Sequence, residues 1–279
     1  MNKIASIAAA LWLAAGSALA SGGADMRLAP APVNPHDTAS LQRGARNFVN
    51  YCLNCHSARF MRYNRLTDLG LTEQQISDNL ILTGRFETIP GVGTNYLPTK
   101  VGETMQTSLR PADAKAWFGA PPPDLSVEAR VRGSRWLYNY FKAFYRDPQS
   151  STGWNNLLFP NVGMPNVLWE SGGVNRLVET EFPDHEEAQA ALIAARGLAV
   201  LEPARGGKFV VKTLEQESPG TLTPAQFDAF VADLVNYMDY MAEPVKVERS
   251  RLGVMVLLFL GVLFVFAYWL KREYWKDLH

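Results

Sequence analysis

Cys52-Leu53-Asn54-Cys55-His56 constrains this chain more than any other segment. It contains both cysteines of the 279-residue sequence, so no second Cys pair exists to complete a four-ligand zinc site. C-x-x-C-H is the attachment signature of c-type haem. Two thiols at that spacing reach the porphyrin's two vinyl groups, and the histidine that follows lies beneath the ring, where it ligates the iron. A thioredoxin-like redox pair would sit near a βαβ pattern, whereas the flanking residues here repeat with a helical period. The motif predicts one covalently attached haem c on Cys52, Cys55 and His56.

The two ends of the chain predict where that haem resides. Residues 1–20 read as a secretory signal: Lys3 gives a positive n-region, Ile4 to Ala15 is almost wholly apolar, and Ala18-Leu19-Ala20 has the small-x-small cleavage pattern. From Leu252 to Leu270 there is no charged residue. At about 1.5 Å per residue that stretch makes a helix close to the hydrocarbon thickness of a bilayer. Tyr268, Trp269, Tyr274 and Trp275 gather at its end as an aromatic belt would. Basic residues flank the span equally, so the signal decides the orientation. Residues 21–245 are expected in the periplasm, 252–270 as a single-pass anchor in the bacterial inner membrane, and 271–279 in the cytoplasm.

Formal charge balances to zero, which gives no electrostatic footprint for nucleic acid. Glycine and proline are frequent between residues 84 and 173, a pattern of loops and short elements. Helices bracket this centre. Ser40 is a candidate cap for a helix whose Leu41, Gly44, Ala45, Phe48, Val49 and Cys52 share one face and run into the haem motif. Thr72 with Gln75 forms a capping box for a second helix through Leu82, stopped by Gly84. Thr223, Pro224 and Gln226 open the clearest helix, Pro224 to Met241, which Pro244 ends.

His56 leaves one axial position on the iron, and two protein ligands there would suit electron transfer, with Met and His raising the potential. Met61 is too close to His56 to reach the opposite ring face, and Met238 and Met241 fall on the apolar stripe of the last helix, where a core role is the better reading. Met1 and Met26 lie in or near the leader, Met255 in the membrane span, and His279 beyond the membrane. Met105, Met164, His36 and His185 remain. Met164 is favoured, because Leu158-Phe159-Pro160-Asn161-Val162-Gly163-Met164-Pro165-Asn166 is a loop suited to present a thioether across an apolar pocket; His185 and Met105 are the alternatives.

Four stretches in order resemble the cytochrome c1 family, the haem subunits of the cytochrome bc1 complex (ubiquinol–cytochrome c reductase). They are Tyr51 to Ser57 with Arg59-Phe60-Met61-Arg62-Tyr63, the segment Gly119-Ala120-Pro121-Pro122-Pro123-Asp124-Leu125-Ser126, the Gly163-Met164-Pro165 loop, and the anchor after Ala242-Glu243-Pro244. The resemblance implies a mainly α fold: a class I cytochrome c-like haem domain with loop-rich insertions plus one C-terminal transmembrane helix. In that fold the terminal helices cross, and Gly44 is a candidate for the crossing point. It also implies His56 and Met164 as iron ligands, Arg132 (Arg130 a second choice) near a haem propionate, and Tyr138 near the haem. A carbonyl from Pro121 to Pro123 is a candidate partner for the second nitrogen of His56.

By the same resemblance the chain is an electron-transfer subunit that accepts electrons from a Rieske iron–sulfur protein and passes them to soluble cytochrome c. Cytochrome b would oxidise the quinol, within a dimeric complex. No acid, base or nucleophile is needed on this chain, so no catalytic residue is expected. The acidic run Glu179, Glu181, Asp184, Glu186 and Glu187 is a candidate docking patch for a basic cytochrome c. Two other readings stay open: a free membrane-anchored c-type cytochrome serving a terminal oxidase, and a haem sensor with a labile sixth position.

Overall fold

Two helices far apart in sequence cross at a glycine, and this contact organises the body that carries the haem motif. In the computed structural model the described residues are 25–91, 93–195 and 197–276; the expected signal 1–20 and residues 277–279 lie outside them. The helices are α1 (Thr38–Tyr51), α2 (Glu73–Asn79), α3 (Pro111–Phe118), α4 (Glu128–Arg132), α5 (Ser134–Lys142), α6 (Trp169–Gly172), α7 (His185–Ala194), α8 (Pro224–Ala242) and α9 (Lys246–Trp275). The strands are β1 (Asp25–Arg27), β2 (Ala58–Arg62), β3 (Gly84–Ile89), β4 (Gly93–Pro98), β5 (Thr104–Met105), β6 (Phe144–Arg146), β7 (Trp154–Asn156), β8 (Val174–Phe182), β9 (Ala199–Pro203) and β10 (Phe209–Ser218). The chain divides into a larger unit, residues 28–177 and 214–279, and a smaller one, residues up to 27 and 178–213.

In the larger unit α1 packs on α8. A Cβ on Gly44 would come within 2.6 Å of Tyr237 Cβ and would also strike the Asp233 carbonyl, so only glycine allows this approach. The pair is pinned at its flank, where Arg43 Nε and Nη2 donate to Asp233 Oδ2 and Oδ1 at 2.6 and 2.9 Å. Phe48, Leu53, Leu234, Val235 and Tyr237 are fully buried around the crossing.

Helix boundaries follow side-chain chemistry more than periodicity. The cap of α1 is Asp37, whose Oδ1 accepts from the Ser40 amide at 2.9 Å. Ser40 lies inside the helix, buried, with its hydroxyl accepting from Asn236 Nδ2 at 3.0 Å. The capping boxes at Thr72 and Thr223 are both formed. Helix α2 ends at Asn79 rather than Leu82, since Gly84 begins a strand and Thr83, buried before it, donates to the Gln106 carbonyl.

The glycine- and proline-rich centre folds as two small hairpins, β3–β4 and β6–β7, with α3, α4 and α5 between them. In the smaller unit, β1, β9 and the parts of β10 and β8 that belong to it (residues 209–213 and 178–182) make a four-stranded sheet in the order β1, β9, β10, β8. Ala188 and Leu192 of α7 pack there on Ala199, Leu201 and Val211. Helix α9 is 30 residues long, unburied along its apolar window, and is the one described helix long and apolar enough to cross a membrane.

Candidate haem site

The motif is placed by the end of α1. Cys52 N–H donates to the Phe48 carbonyl at 2.9 Å, and the amides of Cys55 and His56 fold back onto the Cys52 carbonyl at 3.1 and 2.8 Å. The two cysteines and the histidine thus sit on one tight turn. The Pro-Asp-Leu-Ser segment is fastened alongside: Leu125 N–H donates to the Ser57 carbonyl at 2.8 Å, and Asp124 Oδ2 accepts from the Arg59 amide at 3.0 Å. This brings the Pro123 carbonyl to 2.7 Å from His56 Nδ1. A carbonyl only accepts, so Nδ1 carries the proton and Nε2 keeps its lone pair free, the state a haem ligand needs. Burial lowers the imidazole's basicity, and the Pro123 bond works against that. Burial, then Cys55, pushes the Cys52 thiol up to about 12.

A cavity of about 390 Å³ opens beside the motif, within the usual range for ligand sites. Cys52, Cys55 and His56 line it together with Met164, Arg132 and Pro121 to Pro123. The Met164 loop is held by asparagines. Asn155 Oδ1 accepts from the Asn161 amide at 2.8 Å, and Asn156 Oδ1 accepts from the Leu158 amide at 2.9 Å. Asn161 adopts positive φ of 62°, a conformation asparagine tolerates better than most residues. Asn156 also donates to the Tyr140 carbonyl at 2.9 Å, tying loop to helix. The Tyr140 hydroxyl then donates to Met164 Sδ at 3.4 Å. Burial pushes that hydroxyl up to about 12, so it remains a donor.

Of the expected site residues, Cys52, Cys55, His56, Met164 and Arg132 meet at the cavity and Tyr138 does not. Helical geometry explains the exception. Trp136, Leu137, Tyr140 and Phe141 share the face of α5 that lines the cavity, and position 138 lies about 200° from 136. Tyr138 instead places its ring 4.7 Å from Lys142 Nζ. Arg130 also points elsewhere, with Nη1 3.7 Å from Glu243 Oε2. The other ligand candidates are not at the cavity: Met105 is buried beneath the Tyr237 hydroxyl, His185 is in the smaller unit 3.9 Å from Asp25, and His36 is exposed. Met238 does line the cavity, in addition to being buried in the core.

Trp136, Tyr140, Glu128 and Phe159 are lining residues that sequence reasoning missed. The i, i+1, i+4, i+5 pattern of Trp136-Leu137 and Tyr140-Phe141 was the available signal for α5; nothing local pointed to Glu128. The donor set fits a c-type haem: two thiols, a histidine oriented through Nδ1 and a thioether, around a mostly apolar slot.

The model of the Cytochrome C1 family matches residues 29–194 and 217–278. A cytochrome c1 of Allochromatium vinosum is 40% identical over 276 residues, covering 98% of this chain and 98% of the relative. A protein of Nitrosomonas europaea named ammonia monooxygenase gamma subunit is 42% identical over 259 residues, covering 93% of this chain and 92% of the relative. Among solved structures, a chain of a hyperthermophilic respiratory Complex III matches with a TM-score of 0.39 and 16% identity, covering 90% of this chain and 81% of that one.

Proposed function

The chain belongs to the cytochrome c1 family, and on that premise we propose that it relays single electrons from a Rieske iron–sulfur protein to a soluble cytochrome c. It is a membrane-anchored redox subunit of a quinol–cytochrome c oxidoreductase. When bound, the haem supplies a one-electron iron couple. The chain's own residues would do the rest: Cys52 and Cys55 would hold the group covalently, and His56, through Nε2, and Met164 would ligate its iron. Pro123 fixes the histidine ring and Tyr140 the thioether.

The observation that carries this reading is the convergence of both cysteines, His56 and Met164 on one cavity. Cytochrome b is the partner in the membrane, the complex is dimeric, and the body faces the periplasm with residues 271–279 in the cytoplasm. The acidic run from Glu179 to Glu187 contributes charge to docking. Glu179 and Glu181 are each within ion-pair reach of a lysine, Lys212 and Lys208, which tempers the steering they give.

Detergent extraction of the full chain from native membranes, followed by redox spectra, tests this. Co-elution with b-type haem and a Rieske centre, with quinol-dependent reduction of a c-type haem, is expected. A redox-active c-type haem eluting alone would support a free anchored carrier. The name of the Nitrosomonas relative motivates a second reading, service to a monooxygenase; co-elution with a monooxygenase and no quinol dependence would favour it.

A further inference from the structure

We propose that Glu128 is the counter-charge of the haem cavity: it holds Arg132 by its Nε edge and keeps the potential of a bound haem below the value Arg132 alone would set. The inference rests on the reading above that the cavity holds haem c.

Glu128 and Arg132 are the two formally charged residues among those lining an otherwise apolar and aromatic cavity, apart from the motif histidine. They stand one turn apart on α4, and Arg132 Nε donates to Glu128 Oε1 at 2.8 Å. The guanidinium carbon lies 4.6 Å from the Trp136 ring centroid and 5.3 Å from that of Phe159. Carboxylate and rings together fix the guanidinium's plane and occupy one edge. Arg132 has no other side-chain carboxylate partner among the described residues, and the edge turned away from Glu128 suits a carboxylate carried by the cavity's ligand, taken as a fork.

The carboxylate has a second effect through its charge. Reduction adds an electron to the haem, and a nearby anion opposes it, more strongly in a partly dry cavity than in water. Arg132 acts in the opposite sense. Because the pair is partly exposed, its contribution to stability is small, so a change confined to the potential separates this role from a merely structural one.

The test is optical redox titration of the c-type haem in membranes carrying the full chain. Glu128→Gln keeps size and acceptor oxygen and removes only the charge. It is expected to retain the haem and raise the potential, favouring reduction by about tenfold, equivalent to about 59 mV for a one-electron couple. Glu128→Ala, the second variant, is expected to raise it as well. In Arg132→Ala the effect of E128Q should differ from its effect in the native chain, since coupled residues do not add. A potential unmoved or lowered in E128Q and E128A, with haem retained, overturns the inference while leaving the haem reading intact. A native chain with no c-type haem in its pyridine haemochrome spectrum overturns both.

Discussion

At the scale of residues, the cavity is built by side chains that position other side chains. His56 is presented by a carbonyl 67 residues away, and Met164 by a hydroxyl 24 residues away. Met164→Ala should open the sixth position: the reduced protein is expected to bind carbon monoxide and to lose potential, measured by difference spectra and redox titration. Unchanged spectra would point to Met238, the other thioether at the cavity. Tyr140→Phe removes a hydrogen bond worth about 0.5–1.5 kcal/mol. With Met164 as a ligand, a sulfur without that donor would give more electron density to a bound haem's iron, so the potential is expected to fall with Met ligation retained. A potential equal to that of the native protein would rule out any tuning by the hydroxyl.

At the scale of elements, the α1–α8 crossing carries the architecture. Gly44→Ala would push a methyl against Tyr237 Cβ and the Asp233 carbonyl, neither of which is a flexible chain end. Overpacking of this kind costs about 1–3 kcal/mol, and a lower thermal midpoint by circular dichroism is expected. An unchanged midpoint would mean the helices separate without cost. Loss of the Asp37 cap in Asp37→Ala should cost about 1 kcal/mol, read in the same melt. A methyl at position 44 acts at the core, whereas position 37 acts only at a helix end, so G44A should be the more damaging of the two.

At the scale of the whole molecule, the functional body meets its anchor through short-range ion pairs. Glu243 contacts Arg130 and Arg249, and Asp239 accepts from Ser134 and from Lys246 at 2.8 and 2.7 Å. A chain stopped after Pro244 should leave the membrane fraction as a soluble haem protein, checked by centrifugation after a salt wash; retention would reveal a second membrane contact. Residues 195–216 lie outside the family match, and they include β9 and most of β10 of the smaller unit's sheet. That sheet went unread in the sequence because its pairing is non-local: Asp25 is set opposite Leu201, and no window of adjacent residues encodes such a partner. The sequence by itself determined the Cys-x-x-Cys-His motif, the apolar span and the two capping boxes, all of which depend on residues close together in the chain. Only the tertiary structure decided that Tyr138 turns away while Trp136 and Tyr140 face the cavity, that Pro123 rather than its neighbours meets His56, and that Glu128 joins Arg132 there. Those outcomes hang on the rotation of short helices and the docking of loops, which packing against distant residues sets.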